Sequence, residues 1–264
     1  MQSAISKKAT PAEKWSLLQN KMTTSTIDNS QRTAAKIAGW SYLLSFAIVV
    51  FANYFLLNPL IIPRNAVDTA HNIVAHQTQF RIAITLFLTY SIGAVILAGA
   101  LYIILRPINH YLALLGALFR LVFAMSWLLS AIDSLDALRL LGSTPYLQVF
   151  EPDRLQVLAR VTIASTFDDY YVGLPFFGLA ATVCAWLWLR SNYIPRGLSI
   201  FGVIASAWCV LCAFVYLIFP SFNKIVNDYI FDSPMALFEL IVSFWLLFKG
   251  LKPIAPIQSQ TSAL

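Results

Sequence analysis

Residues Tyr111–Arg139 have the sequence YLALLGALFRLVFAMSWLLSAIDSLDALR, and this segment is the strongest indication of the fold. Its apolar run from Tyr111 to Ile132 is long enough to cross a bilayer, and Arg120 is its one charged residue. An arginine at mid-membrane depth costs roughly 2.5–3.5 kcal/mol on insertion scales, so it must face protein or water and meet an anion. The stretch therefore predicts a helix in the middle of a bundle, with polar partners around Arg120.

The composition of the whole chain is that of a membrane protein. Of its 264 residues, 59% are hydrophobic and 11% are charged, whereas a soluble domain has about 25% charged residues. Uncharged stretches of about 20 residues recur, and each can span the hydrocarbon core. The sequence predicts an all-α, polytopic helical bundle of about six transmembrane helices, at residues 33–57, 80–105, 111–139, 170–189, 197–219 and 232–249.

This membrane domain is expected to occupy residues 32–252, with polar cytoplasmic tails at residues 1–31 and 253–264. The first tail is predicted to be disordered, and Met22 is an alternative start of translation.

Three local features refine the predicted bundle. Residues 154–167 are mixed in polarity and predict an amphipathic lead-in to the fourth membrane helix. Pro175 is expected to bend that helix. Small residues predict close helix packing at Gly39 and along SIGAVILAGA, which contains Gly99.

The charges are distributed unequally between the predicted loops, in the positive-inside pattern. The pattern predicts that both termini lie on the cytoplasmic side of the membrane. The predicted inner side has the acids Glu13 and Asp28 and the bases Lys7, Lys8, Lys14, Lys21, Arg32, Lys36, Arg106, Arg190, Arg196, Lys249 and Lys252. The acids of the predicted outer side are Asp68, Asp133, Asp136, Glu151, Asp153, Asp168, Asp169, Asp228 and Asp232.

Arg120 and Glu239 are the leading candidate site. Arg120 follows His110 by ten residues and Glu239 precedes Lys249 by ten, so both are expected about 15 Å deep at 1.5 Å per residue. Opposite charges at one depth in a small bundle should pair, because lipid hydrates neither. Three alternatives remain: a structural ion pair that fixes helix register, a proton- or substrate-linked switch, and no pairing at all.

The outer ends of the spans carry a second candidate group, a polar cluster of Asp133, Asp136, Asp168, Asp169 and Arg81. Asp133 and Asp136 share a helix face at i,i+3 spacing. Paired carboxylates can hold a cation or carry out acid–base chemistry. The alternative is a solvated rim held by salt bridges.

The other reactive residue types predict no metal site, cofactor or catalytic residue. Cys209 and Cys212 form a C-x-x-C inside an apolar helix, which is typical of core packing. His71 and His76 are five residues apart, which is not the spacing of a helical metal pair. The sequence contains no catalytic or dinucleotide-binding motif and no nucleic-acid-binding pattern.

Six segments together resemble the bacterial membrane family called domain of unknown function 4386. They are KIAGWSYLL (36–44), DTAHNIVAHQTQFR (68–81), ALYIILRPINHYLALLGALFR (100–120), GLPFFGL (173–179), SNYIPRGLSIFGVIA (191–205) and FELIVSFWLLFKG (238–250). The resemblance implies a multi-helix integral membrane protein, and Arg120 and Glu239 fall on its motifs. It implies no activity.

The favoured functional prediction is a non-enzymatic carrier or sensor of a small or lipophilic ligand, using a polar pocket around Arg120 and Glu239. The alternatives are a membrane-embedded enzyme that works at the outer carboxylates and a structural or assembly protein. A cavity that reaches Arg120 favours the first, carboxylates around an open pocket favour the second, and a solid bundle favours the third. Membrane lipids and a small-molecule ligand are the expected partners, and the sequence predicts no oligomeric state.

Overall fold

The computed structural model describes residues 27–142 and 145–253 of the chain. These residues form helices joined by short connections, and no strand occurs among them. The predictions for the tails at residues 1–26 and 254–264 lie outside the described residues. The helices are α1 (Asn29–Val50), continued by a π-helix (Phe51–Leu57), α2 (Ala66–Ala75), α3 (Gln77–Leu105), α4 (His110–Leu140), α5 (Pro152–Ser191), α6 (Arg196–Ile218), α7 (Asp228–Phe231) and α8 (Ser233–Phe248), with 3₁₀ turns at Pro145–Leu147 and Pro220–Lys224.

The predicted all-α polytopic bundle is confirmed. Within the described parts of the chain, five helices are long and apolar enough to cross a membrane: α1 with its π-helix, α3, α4, α5 and α6. The sixth, α8, is apolar but has 16 residues, which gives about 24 Å at 1.5 Å per residue against roughly 30 Å of hydrocarbon. The bundle therefore has five long spans and one short apolar helix.

α5 is a single helix of 40 residues, about 60 Å long and twice as long as a membrane span needs. The predicted lead-in at residues 154–167 and the predicted span from residue 170 are thus parts of one continuous helix, and where the span begins within it stays a prediction. α5 packs against α2 as well as against α4 and α6, which accounts for its extra length. Pro175 lies buried inside α5 and does not end it, because neighbouring helices in a bundle can satisfy the backbone groups that a proline frees.

The chain enters the bundle four residues earlier than predicted, because the N-terminus of α1 is capped locally. The backbone N–H of Asp28 donates to Oε1 of Gln31 at 3.1 Å, and the Ser30 hydroxyl donates to the Asp28 carboxylate at 2.8 Å. These bonds satisfy polar groups at the helix start. Residues 29–31, which were expected in the tail, are therefore helical.

The two ends of the membrane domain meet at one end of the bundle. The side-chain amide of Gln31 donates to the Ile104 carbonyl at 3.1 Å and to the Tyr193 hydroxyl at 3.2 Å. The backbone N–H of Lys252 donates to the Tyr193 carbonyl at 2.9 Å. The predicted topology with both termini inside requires the two chain ends to lie at the same end of the bundle, as they do here. Which side of the membrane this end faces stays a prediction.

Charge distinguishes this end of the bundle from the opposite one. We call the first the basic end, and its charged residues are Asp28, Arg32, Lys36, Arg106, Arg190, Arg196, Lys249 and Lys252. We call the opposite end the acidic end, and its charged residues are Arg64, Asp68, Arg81, Asp133, Asp136, Arg139, Glu151, Asp153, Arg154, Arg160, Asp168, Asp169, Lys224, Asp228 and Asp232.

Two glycines bring α8 close to α1 and α6. A Cβ built on Gly39 of α1 would lie 3.1 Å from the Ser243 carbonyl oxygen of α8. A Cβ built on Gly202 of α6 would lie 2.4 Å from the Phe238 ring. Gly99 has nothing within 4 Å of such a Cβ, so the packing role predicted for it is wrong. These close approaches set the position of Glu239 in the bundle, since it follows Phe238 directly.

Candidate functional site: a buried ion pair and an aromatic cavity

The structure brings Arg120 and Glu239 together inside the bundle. Nη2 of Arg120 on α4 donates to Oε1 of Glu239 on α8 at 2.5 Å. The side chains are 2% and 14% exposed, so neither charge faces lipid. The guanidinium carbon also lies 5.4 Å from the centre of the Tyr42 ring and 5.2 Å from the Phe177 ring. A carboxylate and two aromatic faces thus surround the cation.

The coordination of Arg120 is incomplete within the part of the chain that the structure describes. Its Nε is buried and has no hydrogen-bond partner, although a guanidinium carries five N–H donors. Aromatic faces attract a cation without accepting a hydrogen bond. Glu239 therefore neutralises the charge of Arg120 in the core, and this ion pair links α4 to α8.

The predicted outer polar cluster is divided in the structure. Asp136 pairs with Arg139 at 2.7 Å, with side chains that are 42% and 68% exposed. Asp169 lies near Ser130 and close enough to Asp133 for their charges to interact. Asp168 and Arg81 are exposed. The structure therefore brings Asp133 and Asp169 together and leaves Arg81 and Asp168 at the surface.

The described residues contain no group of three or more His, Cys, Asp or Glu side chains that could hold a metal ion. The thiols of Cys209 and Cys212 are free and buried on α6. His71 and His76 are exposed.

A cavity of about 350 Å³ lies on the acidic side of the bundle. Its lining comes from the π-helix and from residues of α3, α4, α5, α7 and the start of α8. Tyr54, Asn58 and Phe167 line it and are exposed, so the cavity reaches the surface. Its volume is at the lower end of the range of small-molecule sites, which is about 300–1,000 Å³. The π-helix lines one wall, and such segments are frequent at functional sites.

Aromatic side chains form much of the cavity wall. The Trp127 ring packs edge-on against Phe87 at 5.2 Å and Tyr170 at 6.0 Å between ring centres. The series continues from Tyr170 to Tyr171 at 5.7 Å and from Tyr171 to Phe231 at 6.0 Å. All five rings line the cavity.

The polar groups of the wall are few and are placed on particular helices. The Trp127 side chain is 5% exposed, and its Nε1 has no hydrogen-bond partner among the described residues. A buried indole N–H usually finds an acceptor. The Tyr170 hydroxyl donates to Oδ2 of Asp232. Trp127, with its unpartnered indole donor, and the tyrosine–carboxylate pair therefore line the same cavity.

Three serines of α4 add hydroxyl groups to the same wall. Ser126, Ser130 and Ser134 follow one another at i,i+4 spacing, which places them on one helix face. Each donates to a backbone carbonyl oxygen: to Phe123 at 2.8 Å, Thr166 at 3.2 Å and Ser130 at 2.7 Å respectively. Their donor hydrogens are thus used within the protein, and their oxygen lone pairs remain acceptors.

An aromatic layer of Tyr90, Phe123 and Phe177 lies between the ion pair and the cavity. Phe177 contacts Arg120 on one side and stacks on Phe123 at 4.5 Å. Phe123 contacts Trp127 at 6.4 Å on the other side. Neither Arg120 nor Glu239 lines this cavity, and a polar pocket around the pair itself stays a prediction.

The residues that line the cavity were not predicted from the sequence. Asp232 was counted among the outer acids and as a start of the sixth helix, and no place in a cavity was predicted for it. The spacing of Ser126, Ser130 and Ser134 was a readable signal of one polar helix face. Trp127 and Tyr170 carried no such signal, because aromatic residues in apolar helices are most often core.

These features define a class: a polytopic helical membrane protein with a buried ion pair and an interior aromatic cavity. Residues 37–250 match the family described as domain of unknown function (DUF4386), and the chain belongs to this family, as its sequence motifs predicted. An uncharacterized protein of Archaeoglobus fulgidus is 25% identical over 158 residues, which are 60% of this chain and 77% of that relative. No solved structure matches the chain.

Proposed function

We propose that the protein is a non-enzymatic carrier or sensor of a small amphipathic ligand in a bacterial cytoplasmic membrane. The binding site is the cavity between α3, α4, α5 and the π-helix, rather than the surroundings of Arg120. With both termini inside, the cavity lies in the outer half of the membrane and opens towards the acidic end.

The observation that carries this proposal is the unpartnered N–H of Trp127 beside a cavity of about 350 Å³. A buried donor without an acceptor costs about 1–3 kcal/mol, and a ligand that supplies the acceptor would recover that free energy. The aromatic wall supports binding of an apolar body, and the hydroxyls of Ser126, Ser130 and Ser134 supply acceptors. Such a combination of apolar surface with a few polar groups is typical of ligand sites.

We assign a structural role to Arg120 and Glu239. α8 packs against α1 and α6, and its ion pair with α4 ties it to the far side of the bundle. A single charged contact at mid-depth allows one register of α8 against α4, because any shift leaves two unpaired charges in the core. A role in register is the best-supported use of buried polar groups in helical proteins.

The test is extraction of small molecules from the purified protein, followed by mass spectrometry. Wild-type protein is expected to retain a ligand, whereas Ser130→Phe is expected to lose it because the new ring fills the cavity. Val161→Phe is the matched control, since Val161 lies on α5, is 56% exposed and does not line the cavity. Ser134→Met is a second, smaller filling that serves if Ser130→Phe does not fold. Equal ligand content in wild type and both cavity variants would contradict the proposal.

A further inference from the structure

The cavity has a carboxylate in an otherwise uncharged aromatic wall. Among the described residues that line it, Asp232 alone carries a formal charge. The Tyr170 hydroxyl donates to this carboxylate. The carboxylate therefore shares the cavity wall with the rings of Tyr170, Tyr171 and Phe231.

The charge of the whole acidic end has the same sign. Its residues, defined above, include nine acids and six bases, so its net formal charge is 6 − 9 = −3. A surface field of one sign raises the local concentration of ligands of the opposite sign. The approach to the cavity thus favours cations over anions.

The protein itself contains a cation in a comparable setting. Arg120 lies against a carboxylate, Glu239, and two aromatic rings at 5.4 and 5.2 Å. The cavity offers a carboxylate, Asp232, and five rings, on the other side of the aromatic layer.

We propose that the cavity binds a lipophilic organic cation, an amine or a quaternary ammonium compound, with its charge against Asp232 and the aromatic wall. This assignment rests on the proposed function and specifies its ligand. Aromatic cages recognise quaternary ammonium groups because the negative ring faces attract the charge without requiring a hydrogen bond. The Trp127 N–H meets an oxygen acceptor elsewhere on the same ligand. The molecule is therefore an amphiphile with a cationic head and an ester, ether or hydroxyl oxygen.

The experiment compares benzoylcholine with 3,3-dimethylbutyl benzoate, a neutral molecule of the same shape in which carbon replaces the ammonium nitrogen. Each probe is added over a concentration series to the purified full-length protein, and the shift of the thermal unfolding midpoint gives an apparent affinity. The cation is expected to bind wild-type protein at least tenfold more tightly than the neutral probe. Equal or tighter binding of the neutral probe overturns the proposal without any variant.

Two variants test the position of the charge. Asp232→Asn is expected to weaken benzoylcholine binding at least tenfold and to leave binding of the neutral probe within twofold, because asparagine has nearly the shape of aspartate and lacks its charge. Asp168→Asn is the matched control, because it removes the same charge from an exposed position on α5 and is expected to change neither affinity more than twofold. Cation affinity that stays within twofold in Asp232→Asn overturns the proposal.

The outcomes separate this proposal from the proposed function. If neither probe shifts the midpoint, or if the neutral probe binds as well as the cation, the cationic class is wrong. Extraction from the wild type and from Ser130→Phe then still decides whether the cavity holds a ligand of another class.

Discussion

Removing one charge of the Arg120–Glu239 pair should destabilise the protein far more than removing one charge of its exposed ion pair. Two unit charges about 4 Å apart attract by about 4 kcal/mol at the effective dielectric of about 20 that describes protein sites. Breaking a buried pair on one side typically costs about 3–5 kcal/mol, because the remaining charge is left uncompensated. Arg120 is 2% exposed, so water cannot replace the lost partner.

Glu239→Gln is therefore expected to lower the free energy of unfolding by about 3–5 kcal/mol, measured by titration with a denaturing detergent. Arg120→Met should cost a similar amount. The double variant Arg120→Met with Glu239→Gln should lose much less than the sum of the two single losses, because it leaves no charge in the core. The coupling between the two positions is the quantity that identifies the pair.

The control is Asp136→Asn, which breaks an ion pair of comparable length, 2.7 Å, whose side chains are 42% and 68% exposed. Exposed pairs contribute about 0–1 kcal/mol. If Glu239→Gln and Asp136→Asn destabilise the protein equally, or if the single buried variants add without coupling, the ion pair does not hold α8 in place.

Two further predictions concern packing and topology. Gly202→Ala is expected to destabilise the fold, because its Cβ would lie 2.4 Å from a ring of α8, whereas Gly99→Ala should be neutral or stabilise by up to about 1 kcal/mol, since that position is open; equal thermal midpoints would contradict the close contact. A cysteine introduced at Ser30 or at Lys252 should react with a membrane-impermeant thiol reagent only in inverted vesicles, and a cysteine introduced at Ser221 should react only in intact cells. Labelling of the first two cysteines from opposite sides of the membrane would overturn the topology.

The helical bundle could be predicted because hydrophobic length and charge are local properties. Each long span is visible in the sequence as an apolar run with few charges, and the hydrocarbon core of a bilayer allows few structures other than a helix there. The short turn between α3 and α4 follows from the four residues that separate them. The length of α5 could not be predicted in the same way. Residues 154–167 are mixed in polarity and predicted only a lead-in, and the structure shows that they and the apolar run after them form one helix.

The ion pair could be predicted because a single cation in an apolar run needs an anionic partner, and few acidic residues of the chain are expected at the same depth in the membrane. Sequence spacing gave Arg120 and Glu239 the same depth, and the structure brings them together. The cavity could not be predicted by this argument. Space inside a bundle depends on side chains of several helices at once, and the π-helix that borders it has no sequence signal of its own.

The buried pair and the cavity place different demands on the two forms of the proposed function. A carrier must move its ligand past the layer of Tyr90, Phe123 and Phe177 and then past the buried pair of Arg120 and Glu239. A shift of α8 that opened this route would break the ion pair. A sensor requires only a change at Asp232, which immediately precedes α8. Because the register of α8 is tied at Glu239 and its start is bound at Tyr170, a ligand at Asp232 acts on a helix fixed at two points. The geometry therefore favours the sensor form, in which binding alters the start of α8 while the ion pair stays closed.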